Sequence, residues 1–156
     1  MSQIAFITGA TSGFGAACAR RFAAHGWRLI VCGRRQDRLE ALRAELAATV
    51  PVHAVALDVR DEAAVNAAVA ALPADFAEVD LLVNNAGLAL GLEPAHRCPM
   101  DDWQRMVDTN IKGLLYCTHA ILPGMVARDR GHIVNIGSVA GNYPYPGGNV
   151  YGATKA

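Results

Sequence analysis

The sequence predicts an α/β protein built on an open, doubly wound parallel sheet with helices on both faces. Short apolar runs alternate with segments of helical periodicity along all 156 residues, which is the pattern of repeated βαβ units. Each connection between apolar runs is long enough for a right-handed crossover. Motifs rich in Gly, Asn and Ser follow these runs, and in such sheets ligands bind beyond the carboxyl ends of the strands.

Five apolar runs are the predicted strands, and turn residues or polar motifs end each of them. Their ranges are 4–7, 28–32, 52–57, 79–83 and 131–136. Because the carboxyl ends of parallel strands lie at one edge of the sheet, the motifs that follow the strands are expected to converge there.

The segments between the strands have helical periodicity, with apolar side chains on one face. The predicted helices cover 16–24, 37–48, 61–72 and 100–127, and a last one begins near 149. Gly26, Pro51 and Pro73 end the first three, and Asp61 can cap the third. We expect the long helix to bend near Pro123.

Length and charge bound the function. A chain of 156 residues suits a single domain with a buried core. Lys plus Arg and Asp plus Glu number 14 each, so no net charge attracts nucleic acid or an anionic membrane. The apolar runs are too short and interrupted for a transmembrane helix. Scattered cysteines favour reduced thiols in a cytoplasmic protein, and scattered histidines predict no metal site.

A glycine-rich loop connects the first strand to the first helix. Its pattern is G-x-x-x-G-x-G, and its residues are Gly9, Ala10, Thr11, Ser12, Gly13, Phe14 and Gly15. Glycines let the backbone approach a pyrophosphate, and the helix N-terminus offers free N–H groups. The loop therefore predicts a dinucleotide site, although the pattern alone also fits a tight strand–helix turn.

Two arginines indicate which dinucleotide is bound. An NAD site usually places an acidic residue after the second strand, but Arg34 and Arg35 stand there. Arginines suit a 2′-phosphate, so NADP is favoured over NAD. Asp37 lies beyond them and is interpreted as part of a helix start. After the third strand, Asp58 or the backbone of Val59 is a candidate adenine contact, and a capping role for Asp58 stays open.

Tyr151 and Lys155 are four residues apart and would share one face of a helix. A nearby ammonium favours the phenolate form of tyrosine, which would make Tyr151 a general acid and base. Alone, the spacing is common in surface pairs.

Together these motifs resemble the short-chain dehydrogenase/reductase family. The resemblance rests on Thr8 to Gly15, Asn84-Asn85-Ala86-Gly87, Asn110, Ser138 and Tyr151-x-x-x-Lys155. More narrowly, Arg34-Arg35, residues 84–91, Glu93 to His96 and Gly147 to Gly152 look like the bacterial NADP-dependent 3-hydroxy acid dehydrogenases, also described as serine or allo-threonine dehydrogenases.

The resemblance implies a Rossmann-type domain and a role for each motif residue. Tyr151 would exchange a proton with the substrate oxygen, and Ser138 would hydrogen-bond that oxygen. Lys155 would assist Tyr151 and hold the nicotinamide ribose, while Asn110 would hold a water in a proton relay to Lys155. Asn85, Ala86 and Gly87 would line the ribose side of the cofactor, and Asn84 would brace the central strands.

The resemblance also implies a longer protein, in which residues 1–156 form a single NADP-binding and catalytic domain cut after the Tyr-x-x-x-Lys motif. Further C-terminal strands would be missing, and the full protein would be a homo-oligomer, dimer or tetramer. The expected reaction transfers a hydride between nicotinamide and a small 3-hydroxy acid. Alternatives are another carbonyl class, such as a 3-ketoacyl group or a sugar, and a non-catalytic nucleotide-binding fragment.

Overall fold

Parallel strand pairing organises the computed structural model, which describes residues 2–156. The strands are β1 (Ile4–Ile7), β2 (Arg28–Gly33), β3 (Val52–Ala56), β4 (Leu81–Asn84) and β5 (His132–Asn135). They form a five-stranded sheet in the order β3-β2-β1-β4-β5, and every pairing is parallel. The order reverses between β1 and β4, which creates the crevice in which open α/β sheets bind ligands.

Helices cover both faces of the sheet, as predicted. They are α1 (Gly13–Ala23), α2 (Gln36–Leu46), α3 (Glu62–Ala70), α4 (Met100–Val107), α5 (Gly113–Ala127) and α6 (Asn149–Ala153). One core cluster packs α1 and α2 against the sheet, and a second packs α3 and α5 against its other face. This is the doubly wound architecture that the alternating pattern indicates.

The long predicted helix differs from its prediction in one respect. A π-helical turn over Asp108–Lys112 separates α4 from α5, whereas the sequence pointed to an irregularity near Pro123. Pro123 instead lies inside α5, which continues through it. Such turns are frequent at functional sites, and this one carries Asn110. Periodicity does not reveal it, because the apolar spacing through this segment also fits an uninterrupted α-helix.

A buried carboxylate joins the starts of three strands at the edge opposite the crevice. Asp80 is 6% exposed, and its Oδ2 accepts a hydrogen bond from Ile4 N at 2.9 Å. Arg130 Nε donates to Asp80 Oδ1 at 2.8 Å, while the backbone N–H of His132 donates to Asp80 O at 2.9 Å. The charge is thus paired and hydrogen-bonded, as burial requires, and β1, β4 and β5 are held in register.

Candidate active site

A cleft of about 710 Å³ runs along the carboxyl ends of the strands. It brings together almost all of the residues singled out in the sequence. Those that line it are Gly9, Thr11, Ser12, Gly13, Phe14, Arg34, Arg35, Asp58, Val59, Asn85, Ala86, Gly87, Ser138, Tyr151 and Lys155. The predicted convergence on one edge of the sheet is therefore present in the structure.

Three predicted site residues lie behind the cleft wall. Ala10 is fully buried, and its N–H donates to Cys32 O at 2.9 Å. Gly15 packs under the loop, where an added Cβ would lie 2.4 Å from Gly9 O. Asn110 is 3% exposed, and hydrogen bonds to protein groups occupy its side chain. The sequence analysis assigned Ala10 and Gly15 to the cofactor and Asn110 to a water of the proton relay, and in the structure all three lie behind the residues that line the cleft.

The glycine loop is bound to the end of β4 by side-chain hydrogen bonds. The buried Thr8 hydroxyl oxygen accepts from Asn85 N at 3.0 Å and from Ala86 N at 2.9 Å. In return, Asn85 Nδ2 donates to Thr8 O at 2.9 Å and Gly9 O at 3.1 Å. A Cβ at Gly9 would lie 2.9 Å from Ala86 Cα, so only glycine permits this approach.

Asn84 braces the sheet as the sequence analysis predicts. Its Nδ2 donates to Thr118 Oγ1 at 2.9 Å and to Asn135 Oδ1 at 3.0 Å. It therefore connects β4 to α5 and to β5. Asn84 is 5% exposed, and it is not among the residues that line the cleft.

Positive charge gathers where β2 and β3 end. Arg34 and Arg35 are exposed at the start of α2. On the next strand end, Asp58 binds Arg60: Arg60 Nε lies 3.0 Å from both carboxylate oxygens, and Nη2 lies 2.6 Å from Oδ2. The hydrogen bond from the Arg60 guanidinium lowers the pKa of Asp58 below its ordinary value, and the charge of Arg34 contributes in the same direction.

Ser138, Tyr151 and Lys155 also line the cleft. Ser138 Oγ accepts from Ala140 N at 3.2 Å, which leaves its hydroxyl proton free to be donated. Lys155 Nζ donates to Ile136 O at 2.9 Å, and an ammonium has three protons to donate. The arrangement can polarise a substrate oxygen and move a proton to or from it.

Asn110 connects the π-helical turn to the segment that carries Tyr151 and Lys155. Its Oδ1 accepts from Leu88 N, and its Nδ2 donates to Leu88 O and to Thr154 Oγ1, each at 2.9 Å. Thr154 Oγ1 then donates to Tyr151 O at 2.8 Å. A Cβ at Gly87 would lie 3.3 Å from Asn110 Oδ1 and 3.4 Å from Lys155 Nζ, so these two atoms approach the same point.

A second junction fixes the beginning of α6. Asn149 has a φ of 37°, and its Nδ2 donates to Glu93 O at 2.8 Å and to Cys98 Sγ at 3.0 Å. Cys98 Sγ donates to Glu93 O at 3.1 Å. The segment after β4 is thereby bound to a residue two positions before Tyr151.

The sequence analysis missed several residues that line the cleft. They are Cys32, Gly33, Leu57, Leu88, Ala89, Thr109, Ile136, Gly137 and Val139. Thr109 is 9% exposed, and its hydroxyl has no hydrogen-bond partner among residues 2–156. In the sequence, only its position directly before Asn110 could have indicated that Thr109 lines the cleft. Cys32 is a fully buried thiol whose pKa is raised by desolvation.

Residues 2–156 contain no cluster of three or more His, Cys, Asp or Glu side chains that could hold a metal. None of their helices combines the length and apolar character needed to cross a membrane. All four cysteines are free thiols.

The fold and the cleft together define a Rossmann-type domain with a site suited to a dinucleotide. A glycine loop opens α1 beside β1, arginines follow β2, and a Ser, Tyr and Lys site lies beyond β5. The profile described as short chain dehydrogenase matches residues 3–156. The chain belongs to this family.

Named relatives agree with this assignment. The chain is 59% identical over 154 residues to the NADP-dependent 3-hydroxy acid dehydrogenase YdfG of Salmonella typhi, covering 99% of the chain and 61% of that protein. It is 57% identical over 157 residues to the sulfoacetaldehyde reductase of Chromohalobacter salexigens, covering all of the chain and 62% of that protein. A closed form of serine dehydrogenase complexed with NADP+ superposes with a TM-score of 0.93 at 56% identity, covering 98% of the chain and 61% of that structure. The chain thus spans about three fifths of the length of these relatives.

Proposed function

We propose that the protein containing this chain is an NADP-dependent oxidoreductase that transfers a hydride between nicotinamide and a small 3-hydroxy acid or its 3-oxo form. One observation supports this above the others. Ser138, Tyr151 and Lys155 line the same cleft as the glycine loop and the arginines. A proton-transfer group and a dinucleotide site therefore share one space.

The cleft residues fit NADP. The backbone beside Gly13 is open, with no heavy atom within 4 Å of an added Cβ, so a pyrophosphate can approach the N-terminus of α1. Arg34 and Arg35 would bind the 2′-phosphate. Asp58 or the backbone of Val59 would contact the adenine, and Arg60 holds the Asp58 carboxylate in place. When bound, the nicotinamide supplies the hydride.

The remaining steps belong to side chains of this chain. Ser138 would donate its free hydroxyl proton to the substrate oxygen, and Tyr151 would pass a proton to or from that oxygen. Lys155 would stabilise the phenolate of Tyr151 and donate to the ribose hydroxyls. Asn110 would act by positioning, because its hydrogen bonds hold Leu88 and Thr154 in place.

The substrate class rests on the relatives. Two of them are named for a 3-hydroxy acid and for sulfoacetaldehyde, which are small molecules with an acidic group near the reacting carbon. We therefore favour a small acid, rather than a 3-ketoacyl group or a sugar, as the substrate class.

A homo-oligomer is also proposed, with α5 as part of the contact. Leu115, Leu122 and Val126 are 55%, 39% and 68% exposed, and their spacing places them on one helix face. An unpartnered apolar face of this kind marks an interface. Sedimentation velocity should show a dimer or tetramer that dissociates in a Leu115→Glu/Val126→Glu variant; a monomeric parent protein would contradict this.

The proposed function is tested by NADP+ reduction with serine, allo-threonine and 3-hydroxypropanoate, with 2-propanol as the substrate that lacks the acid. We expect turnover only with the acids. Tyr151→Phe should lower kcat by about 10²–10⁴-fold because the proton-transfer group is lost, while NADP+ still raises the thermal unfolding midpoint. Retained turnover in Tyr151→Phe would refute the mechanism.

The same assay separates the alternatives. Turnover of 2-propanol or a sugar with no turnover of the acids would reject the acid substrate class. Stabilisation by NADP+ without turnover of any substrate would favour a nucleotide-binding fragment.

A further inference from the structure

Asn149 holds the first turn of α6, the helix that carries Tyr151, against the segment that follows β4. Its Nδ2 donates to Glu93 O at 2.8 Å and to Cys98 Sγ at 3.0 Å. An amide nitrogen has two protons, so these two contacts use both of them. The amide therefore fixes the place at which the chain enters α6.

The backbone at Asn149 limits which residue can make this contact. Its φ of 37° lies in the left-handed region, where asparagine is tolerated better than most side chains. The N-cap residue of α6 is Gly148, which has no side chain to accept from the free N–H groups of the first turn. Asn149 therefore supplies a polar contact that the N-cap cannot make.

The segment that Asn149 binds is itself attached to the cleft wall. Leu88, near the start of this segment, lines the cleft, and both its N–H and its carbonyl oxygen pair with the side chain of Asn110 at 2.9 Å. Further along, a Cβ at Gly147 would lie 2.7 Å from Leu92 O, so the two backbones are in close contact beside the Asn149 hydrogen bonds. The start of α6 is therefore held against a segment with a defined position.

Tyr151 lies between two polar contacts of α6. After it, Thr154 Oγ1 accepts from Asn110 Nδ2 at 2.9 Å and donates to Tyr151 O at 2.8 Å. Before it, Asn149 binds the segment after β4. Because Asn149 and Tyr151 belong to the same helical turn, a shift of one displaces the other, and a displacement of about 1 Å at a reacting group can lower a rate about 100-fold.

We propose that Asn149 is a positioning residue for Tyr151, which acts by binding Glu93 O and so directs Tyr151 into the cleft that Ser138 also lines. This inference rests on the proposed function, in which Tyr151 moves the proton. Asn149 itself does not line the cleft, so its effect on the reaction passes through Tyr151.

The test compares Asn149→Asp with the parent protein in steady-state kinetics and in isothermal titration of NADP+. Aspartate has the size of asparagine and also tolerates a left-handed φ, but its carboxylate has no proton to donate to Glu93 O. We expect kcat to fall about 10- to 100-fold. The dissociation constant of NADP+ should change less than about threefold, because the glycine loop and the arginines lie on other elements. The solvent deuterium isotope effect on kcat should increase, because proton transfer by Tyr151 becomes slower relative to the other steps.

Two further variants decide how Asn149 acts. Asn142→Asp is the matched control, because it places the same charge on an exposed residue of the same loop, and its kcat should stay within about twofold of the parent value. Cys98→Ala removes only the contact with the thiol, and since sulfur is a weak acceptor its kcat should stay within about threefold. A loss as large as that of Asn149→Asp in either variant would assign the effect to the added charge or to the thiol, which overturns the inference.

Failure of the proposed function gives a different result. A parent protein without turnover of any substrate would overturn the proposed function and the positioning role with it, whereas an active parent with an equally active Asn149→Asp variant overturns the positioning role alone. A fall in kcat matched by an equal loss of NADP+ affinity would also contradict the inference.

Unfolding midpoints without cofactor identify a variant that is misfolded, and Asn149→Gly then replaces Asn149→Asp. Glycine adopts a left-handed φ without strain and also lacks the amide, so it should show the same fall in kcat. A kcat near the parent value in Asn149→Gly would mean that the amide contact does not position Tyr151.

Discussion

Thr154→Val removes the hydroxyl that connects Asn110 to Tyr151 while preserving the shape of the side chain. Thr154 is 9% exposed and Asn110 is 3% exposed, so water cannot replace the lost partner. The Asn110 Nδ2 group keeps its bond to Leu88 O but loses its bond to Thr154 Oγ1. The carbonyl oxygen of Tyr151 keeps one hydrogen bond, because it also accepts from Thr154 N at 3.1 Å.

The loss of stability follows from the hydrogen bonds that are kept and lost. A buried donor left without its partner costs about 1–3 kcal/mol, so we expect the free energy of unfolding to fall by about 2 kcal/mol. Thr154→Ser is the matched control. It keeps both hydrogen bonds and removes one buried methyl group, which costs about 0.8 kcal/mol.

Equilibrium unfolding in urea measures the difference. With an m value of about 1–3 kcal/mol/M, the valine variant should unfold at about 1 M lower urea than the parent. We also expect its kcat to fall more than its affinity for NADP+, because the displaced turn carries Tyr151 and Lys155. Equal midpoints for the valine and serine variants would refute the reasoning.

Two further predictions concern the glycine loop and the thiols. Gly15→Ala should destabilise the protein by about 1–3 kcal/mol, because its Cβ would lie 2.4 Å from Gly9 O and 2.5 Å from Asn85 Nδ2. Thermal unfolding should show a smaller loss for Gly13→Ala, which has a φ of 52° but no neighbour within 4 Å; equal losses would contradict the steric argument. In native protein at pH 8, a thiol reagent should modify Cys18 and Cys98 before Cys32 and Cys117, because both of the latter are buried and burial raises the pKa of Cys117 to about 12. Peptide mapping that finds the same modification rate for all four cysteines would contradict this prediction.

The sequence predicted the fold because its signals are local. Apolar runs and turn residues locate the strands to within a few residues, and the right-handed crossover rule then determines how they are connected. The same rule placed Gly9, Asn85 and Ser138 at one edge, and the structure confirms that they line one cleft.

The remaining site features depend on contacts between distant segments. Neither the pairing of Asn149 with Glu93 and Cys98 nor that of Asn110 with Thr154 leaves a periodic signal, since each depends on how two loops pack. The π-helical turn was missed for a related reason, because the apolar spacing around Asn110 also fits an ordinary α-helix.

Asp80 has a consequence for how the family diversifies. It aligns β1, β4 and β5 at the edge of the sheet opposite the cleft, so the alignment of the strands does not depend on the loops at the cleft. Those loops can change in length and sequence without strand slippage. One scaffold can then evolve towards new substrates by altering its cleft segments. In agreement with this, relatives named for a 3-hydroxy acid and for sulfoacetaldehyde have similar sequence identity to this chain.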